Sequence, residues 1–109
     1  CPVATTVQLI GSKWKLLIMR NLLQRPWRFN ELRKNLEGIS QKVLTDILRS
    51  MEEDGIITRT VYPEVPPRVE YSLTSRAQSL LACIDPLVAW ADANMADILN
   101  DRKTARGER

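Results

Sequence analysis

The chain has 109 residues, 44% of them hydrophobic and 27% charged, which fits one domain of ordinary globular composition. With no histidine and two cysteines, His-based catalytic triads, Cys/His zinc sites and a disulfide scaffold are excluded. The formal charge is +3 but unevenly spread: residues 1–50 carry nine Lys/Arg against three Asp/Glu, and residues 51–109 carry seven against ten. Such asymmetry suits an anionic partner such as nucleic acid, although an uneven solvated surface explains the charge equally well on its own.

Along the chain, Pro2 suits the first turn of a short helix that Gly11 ends. Ser12 then caps a second helix with the apolar stripe Trp14, Leu17, Ile18 and Leu22. Arg25-Pro26 stops it, because proline cannot continue a helix, and Trp27 to Phe29 reads as a short extended stretch. Asn30 is the expected cap of a third helix, with Leu32 and Leu36 inward and Gly38 closing it. The fourth helix gives the clearest signal: Ser40 caps it and Val43, Leu44, Ile47, Leu48 and Met51 share one stripe. Gly55 ends it. Two strand-like runs follow, Ile57 to Tyr62 and Val69 to Leu73, joined by a stiff loop holding Pro63, Pro66 and Pro67. Ser75 and Gln78 have capping-box spacing at the head of a long last helix that keeps its apolar register across Pro86. Residues 101–109 are charged and expected to be disordered.

This order predicts a mostly α (α+β) fold: a winged helix-turn-helix with a two-stranded β-hairpin wing and a long C-terminal dimerisation helix. Residues 1–100 form a single domain in this reading, with 12–74 as the DNA-binding core and helices 1–10 and 75–100 as the dimerisation elements. The second helix of such a pair enters the major groove with its N-terminal residues at base edges. Ser40, Gln41, Lys42, Thr45 and Arg49 lie there, and Gln, Lys, Arg and the Thr methyl are each matched to base edges. Arg59 and Arg68 flank the proline loop and are placed to hold phosphates or enter the minor groove.

Of the other features, only Cys1 offers chemistry. Gly11-Ser12-Lys13 lacks both the preceding strand and the earlier glycine of a phosphate loop. Glu52-Glu53-Asp54 is a solvated cluster at a helix end, without the apolar pocket that acid catalysis needs. Cys83 is expected on the buried stripe of the last helix as a small hydrophobe. Cys1 heads the first helix, where the dipole and basic neighbours favour a reactive thiolate, so redox sensing is one reading of it. Apolar runs, the longest being Leu16 to Met19 and Leu80 to Ile84, fall far short of the roughly 18 residues of a membrane span. No signal peptide is visible, although the chain begins at Cys1 rather than methionine. No membrane association, cofactor or metal is expected.

Several runs together resemble one family. Ile10-Gly11-Ser12-Lys13-Trp14-Lys15, Ile39-Ser40-Gln41-Lys42-Val43-Leu44-Thr45 and Pro66-Pro67-Arg68-Val69-Glu70-Tyr71 are similar to the HxlR-type winged helix-turn-helix regulators, over residues 1 to about 95. The resemblance implies a bacterial, cytoplasmic, homodimeric transcription regulator paired through its first and last helices, and the lack of histidine, metal ligands and a glycine-rich phosphate loop argues against an enzyme. It also implies that Cys1 matches the cysteine with which some members sense electrophiles or oxidants. Gly11-Ser12 stands where the family has two glycines, and Arg25 where a glycine is usual, both away from the expected DNA contacts.

The expected function is therefore a regulator binding double-stranded DNA at a palindromic operator, answering to a small-molecule or oxidant effector through Cys1. The alternative is a winged-helix protein-interaction module that does not bind DNA. Surface area argues separately for a dimer: Leu87, Val88, Trp90, Met95, Ile98 and Leu99 form an apolar face that one small domain cannot cover. Val3, Val7 and Ile10 of a twofold mate are its expected cover.

Overall fold

The computed structural model describes residues 1–107. Five helices and three strands follow in the order α1 (Pro2–Ile10), α2 (Lys13–Gln24), β1 (Trp27–Arg28), α3 (Phe29–Asn35), α4 (Gln41–Glu53), β2 (Ile57–Tyr62), β3 (Arg68–Leu73) and α5 (Ser75–Ala105). The chain divides inside α5 into two compact units, Cys1–Gln78 and the run from Ser79 onward.

The first unit is built on amphipathic helices meeting a small sheet. Ile18, Met19 and Leu22 of α2, Leu32 of α3, and Leu44, Leu48 and Met51 of α4 are all buried, together with Leu36, Ile39, Ile56, Ile57 and Ala77. Burying each large aliphatic side chain contributes about 1.5–3 kcal/mol, so this cluster is the main source of the fold's stability. Two expected stripe members, Leu17 and Val43, are 42% exposed, whereas Met19 is buried. Both lie at the margin of their helix's apolar arc; Val43 is one residue, about 100°, from Leu44.

The wing hairpin is the expected one, and β1 adds a third strand. The sheet order is β1-β3-β2, antiparallel throughout. Tyr62 faces Arg68 at the loop end of the hairpin and Ile57 faces Leu73 at its base. On the other edge Trp27 pairs with Tyr71 and Arg28 with Glu70.

Two helix starts differ from expectation. α3 begins at Phe29, one residue before Asn30, and its first turn is secured by Glu31. That carboxylate accepts from the Arg28 backbone N–H at 2.9 Å and pairs with the Arg25 guanidinium at 3.3 Å. Arg25 also stacks over Trp27, 4.1 Å from the ring centroid, so the residue that ends α2 holds the next turn in place. The bond from the Arg28 backbone, then that from Arg25, lowers the pKa of Glu31 below its ordinary value. At α5 the cap is Thr74 rather than Ser75. Its Oγ1 accepts from the Ala77 N–H at 3.2 Å and lies 2.7 Å and 3.0 Å from the Gly55 and Ile56 carbonyls. Thr74 thus joins the end of α4 to the start of α5. Gly55 between them has φ +72°, and a Cβ there would run into the Arg76 guanidinium, so the turn requires glycine.

The second unit is the continuation of α5, unbroken at Pro86. Its apolar residues are unequally covered: Leu81 and Ile84 are buried, while Leu87, Val88, Trp90, Met95 and Leu99 are exposed and Ile98 is half-buried. Cys83 is exposed, contrary to expectation. The buried column is Ala77–Leu81–Ile84, not Leu80–Leu87, and a residue two beyond Leu81 lies about 200° round the helix. The expected disordered tail is also corrected, since the helix runs through Ala105 before Gly107 turns at φ +74°. Arg102 and Lys103 sit in its last turn, where cations favour the negative end of the helix dipole. Residues 108–109 of that tail lie outside the described residues.

Two measurements test these junctions. Thr74→Val keeps the shape and removes the hydroxyl; we expect a loss of about 1–3 kcal/mol in urea unfolding, and a loss below about 0.5 would contradict the junction role. For Glu31, a lowered folded pKa means its stabilisation is present above the ordinary Glu pKa and is lost as pH falls through the folded value. The stability gap between the parent and Glu31→Gln should therefore close on acidification. A gap that is constant with pH would show that the carboxylate charge is not what matters.

Candidate nucleic-acid interface

Helices α3 and α4 are joined by a turn through Gly38, whose φ of +85° suits glycine. The turn places the N-terminus of α4 at the surface with Ser40 as N-cap, its Oγ accepting from the Val43 N–H at 3.1 Å. Ser40 is thereby committed to the backbone of its own helix. The buried arc of Leu44, Leu48 and Met51 then sets the rotation of α4, so Gln41, Lys42, Arg49 and Glu52 are exposed and Thr45 is half-buried.

Gln41, Thr45, Arg49 and Glu52 line one wall of an open cleft of about 470 Å³. Phe29, Arg59 and Tyr71 line the rest. Arg59 reaches the cleft because it pairs with Tyr71 across the hairpin. Sequence position alone puts Arg59 in the wing, away from α4; the register brings the two together. Glu52, Phe29 and Tyr71 are cleft residues that the helix pattern does not select. The available signal is the hairpin count: pairing Tyr62 with Arg68 forces Arg59 opposite Tyr71.

The cations differ in their freedom. Arg49 and Arg59 carry no ion pair with any described residue. Lys42 Nζ lies 3.0 Å from Asp46 Oδ2, in a pair whose side chains are 86% and 56% exposed. Breaking such an exposed i,i+4 pair costs only about 0.3–0.5 kcal/mol, so Lys42 is readily diverted to another anion. Thr45 donates its hydroxyl to the Gln41 carbonyl at 2.8 Å. Arg68 is held differently: its guanidinium meets Glu64 and Glu70, each at 3.0 Å, and stacks over Tyr62.

The first unit's candidate dimer and sensor residues do not line this cleft. In the first unit, Val3 and Val7 are 72% and 59% exposed, Ile10 is half-buried, and α1 buries no residue at all. Cys1 is exposed at the N-cap position of α1. Among the described residues no helix is long and apolar enough to cross a membrane.

Comparison with known proteins finds similar chains by sequence and by fold. Residues 9–98 match the model of the HxlR-like helix-turn-helix family. An uncharacterized HTH-type transcriptional regulator, YdeP of Bacillus subtilis, is 46% identical over 92 residues, 84% of this chain and 72% of that protein. The redox regulator HypR in its reduced form superposes with a TM-score of 0.82 at 40% identity, covering 93% of this chain and 99% of that one. The reduced form of the B. subtilis transcriptional regulator YodB gives 0.76 at 38% identity, covering 84% and 91%.

Proposed function

The chain belongs to the HxlR-like helix-turn-helix family, and from that premise we propose that it reads a palindromic operator as an oxidant-responsive homodimer. It is a DNA-binding transcriptional regulator of the winged helix-turn-helix type. The carrying observation is the α4 face: Gln41, Thr45, Arg49 and Arg59 converge on one cleft, and neither arginine has a carboxylate partner among the described residues. Gln41, Lys42, Thr45 and Arg49 then meet base edges, with Gln suited to adenine and Arg or Lys to guanine. Ser40 orients the helix start, whose positive dipole end favours a phosphate. Arg59 neutralises backbone charge beside the groove. We assign the protein no catalytic step, and its work lies in the cytoplasm with its DNA.

Pairing follows from the apolar surfaces. Val3 and Val7 of α1 and Leu87, Val88, Trp90, Met95 and Leu99 of α5 are exposed, with Ile10 and Ile98 half-buried beside them, and large apolar side chains left open in this number suit an interaction surface. A twofold mate that covers them would set two recognition helices about 34 Å apart, one turn of duplex. Cys1 heads α1, one of these dimerisation helices. Oxidation there, with two thiols giving two electrons and two protons to an oxidant and joining as a disulfide, would alter that spacing. HypR, a redox regulator whose oxidised form is also similar to this chain, makes this reading the natural one for Cys1.

Salt titration of duplex binding tests the DNA assignment. Arg49→Ala and Arg59→Ala should each weaken binding. Removing a phosphate contact lowers the log–log salt slope by about one, and removing a base contact costs roughly 1–3 kcal/mol at its own base pair. Unchanged affinity in the double variant would overturn the cleft assignment, and a wild type with no salt-graded binding would favour the protein-interaction module. Sedimentation tests the pairing: we expect a dimer at micromolar concentration and dissociation in Val7→Glu. A compact 12.5 kDa monomer that still holds a full palindrome would refute it. For the switch, Cys1→Ser should abolish any effect of diamide on operator binding; an effect that survives the substitution would clear Cys1 of the role.

A further inference from the structure

Arg68 is expected from its position to hold DNA, yet its surroundings describe another task. It is the first residue of β3 and faces Tyr62, the last residue of β2, across the mouth of the wing loop. Its guanidinium carbon sits 4.0 Å from the Tyr62 ring centroid. Nη2 meets Glu64 in the loop and Nη1 meets Glu70 on the same strand, each at 3.0 Å. The Arg68 side chain is only 28% exposed and Glu70 only 20%. Nε is fully withdrawn from solvent without a partner, so the head group is turned into the wing.

The charges around it are decisive. One guanidinium stands between two carboxylates, and Arg28 lies opposite Glu70 in the sheet, so the charges at the base of the wing are already compensated. To reach a phosphate, Arg68 would have to break two charge-assisted bonds and an aromatic stack, then leave Glu64 and Glu70 facing the DNA backbone unpaired. Arg49 and Arg59 face no such cost. Beyond Arg68 the loop carries Pro63, Val65, Pro66 and Pro67 around Glu64, whose carboxylate is drawn back onto Arg68, and Val65 at its tip is fully exposed. The wing therefore offers an apolar tip on a charge-compensated base.

We propose that Arg68 is a positioning residue, a strut that clamps both ends of the wing loop, and that the wing meets the minor groove through its uncharged tip rather than through Arg68. The role of the tip rests on the DNA-binding function above; the strut does not. Lysine cannot replace arginine in this geometry, because a point charge lacks the planar fork that reaches two carboxylates and stacks on tyrosine.

The test uses the full chain, hydrogen exchange of the wing amides without DNA, and salt titration on a 30-bp duplex of arbitrary sequence. Arg68→Ala and Arg68→Lys should both raise exchange several-fold at Thr60, Val61, Val69 and Glu70, while amides of α4 stay protected. Both should weaken duplex binding by a similar factor at every salt concentration and leave the slope unchanged. A slope lowered by about one in the alanine variant, restored in the lysine variant, with wing exchange unaltered, would overturn the proposal and return Arg68 to the phosphate contacts. If the wild type binds no duplex, the DNA-binding function falls, and the exchange pattern alone still decides the strut.

Discussion

The rotation of α4 about its own axis is the constraint on which the rest of the structure depends. Successive residues turn by about 100°, so burying Leu44, Leu48 and Met51, each at 2% exposure or less, leaves one orientation for the helix. Everything chemically active on α4 inherits that orientation. Gln41, Thr45, Arg49 and Glu52 line the cleft because the apolar arc points the other way. The cap at Ser40 fixes where the helix begins, and Gly55 with Thr74 fixes where the chain turns away into β2 and α5. A core of aliphatic side chains thus determines the aim of a polar surface that it does not touch.

A second ordering principle is the pairing of charge. Four of the arginines are used in two distinct ways. Arg25 and Arg68 are stacked on aromatic rings and bound to glutamates, and both secure a turn or loop. Arg49 and Arg59 pair with no carboxylate among the described residues and face the same cleft. Unpaired cations on a rigid frame suit a polyanion, since they lose no internal bond when it arrives and release its counterions. Paired cations suit architecture. The overall charge of +3 says little by comparison with this division.

Much of the fold is legible in the sequence because caps and stripes are local. Ser12, Ser40, Gly11, Gly55 and Arg25-Pro26 mark helix ends within a residue, and the register across Pro86 correctly argues for one continuous α5. What is not legible depends on neighbours distant in sequence. Leu17 and Val43 look like core until the actual packing leaves them at the edge. Cys83 is misplaced by periodicity because the buried column of α5 is set by Ala77, Leu81 and Ile84, which periodicity alone does not select over Leu80 and Leu87. Thr74 outranks Ser75 as cap because it also bonds to the end of α4, a tertiary contact. In the site, Gln41, Lys42, Thr45 and Arg49 are readable from the helix, while Arg59 joins them only through hairpin register. Arg68 reads as a DNA contact from its position alone, since its engagement by Glu64, Glu70 and Tyr62 is visible only in three dimensions.

The central claim is that the outward face of α4 and Arg59 form one DNA-reading surface. Its most direct test is a heteronuclear NMR titration of the intact protein with duplex DNA containing its operator, following backbone amides and arginine side chains residue by residue. The account predicts that the largest shifts fall on Gln41, Lys42, Thr45, Arg49 and Arg59, with the Arg68 Nη signals still in their Glu-paired environment. Shifts concentrated on the exposed face of α5, with the α4 cleft unmoved, would contradict it.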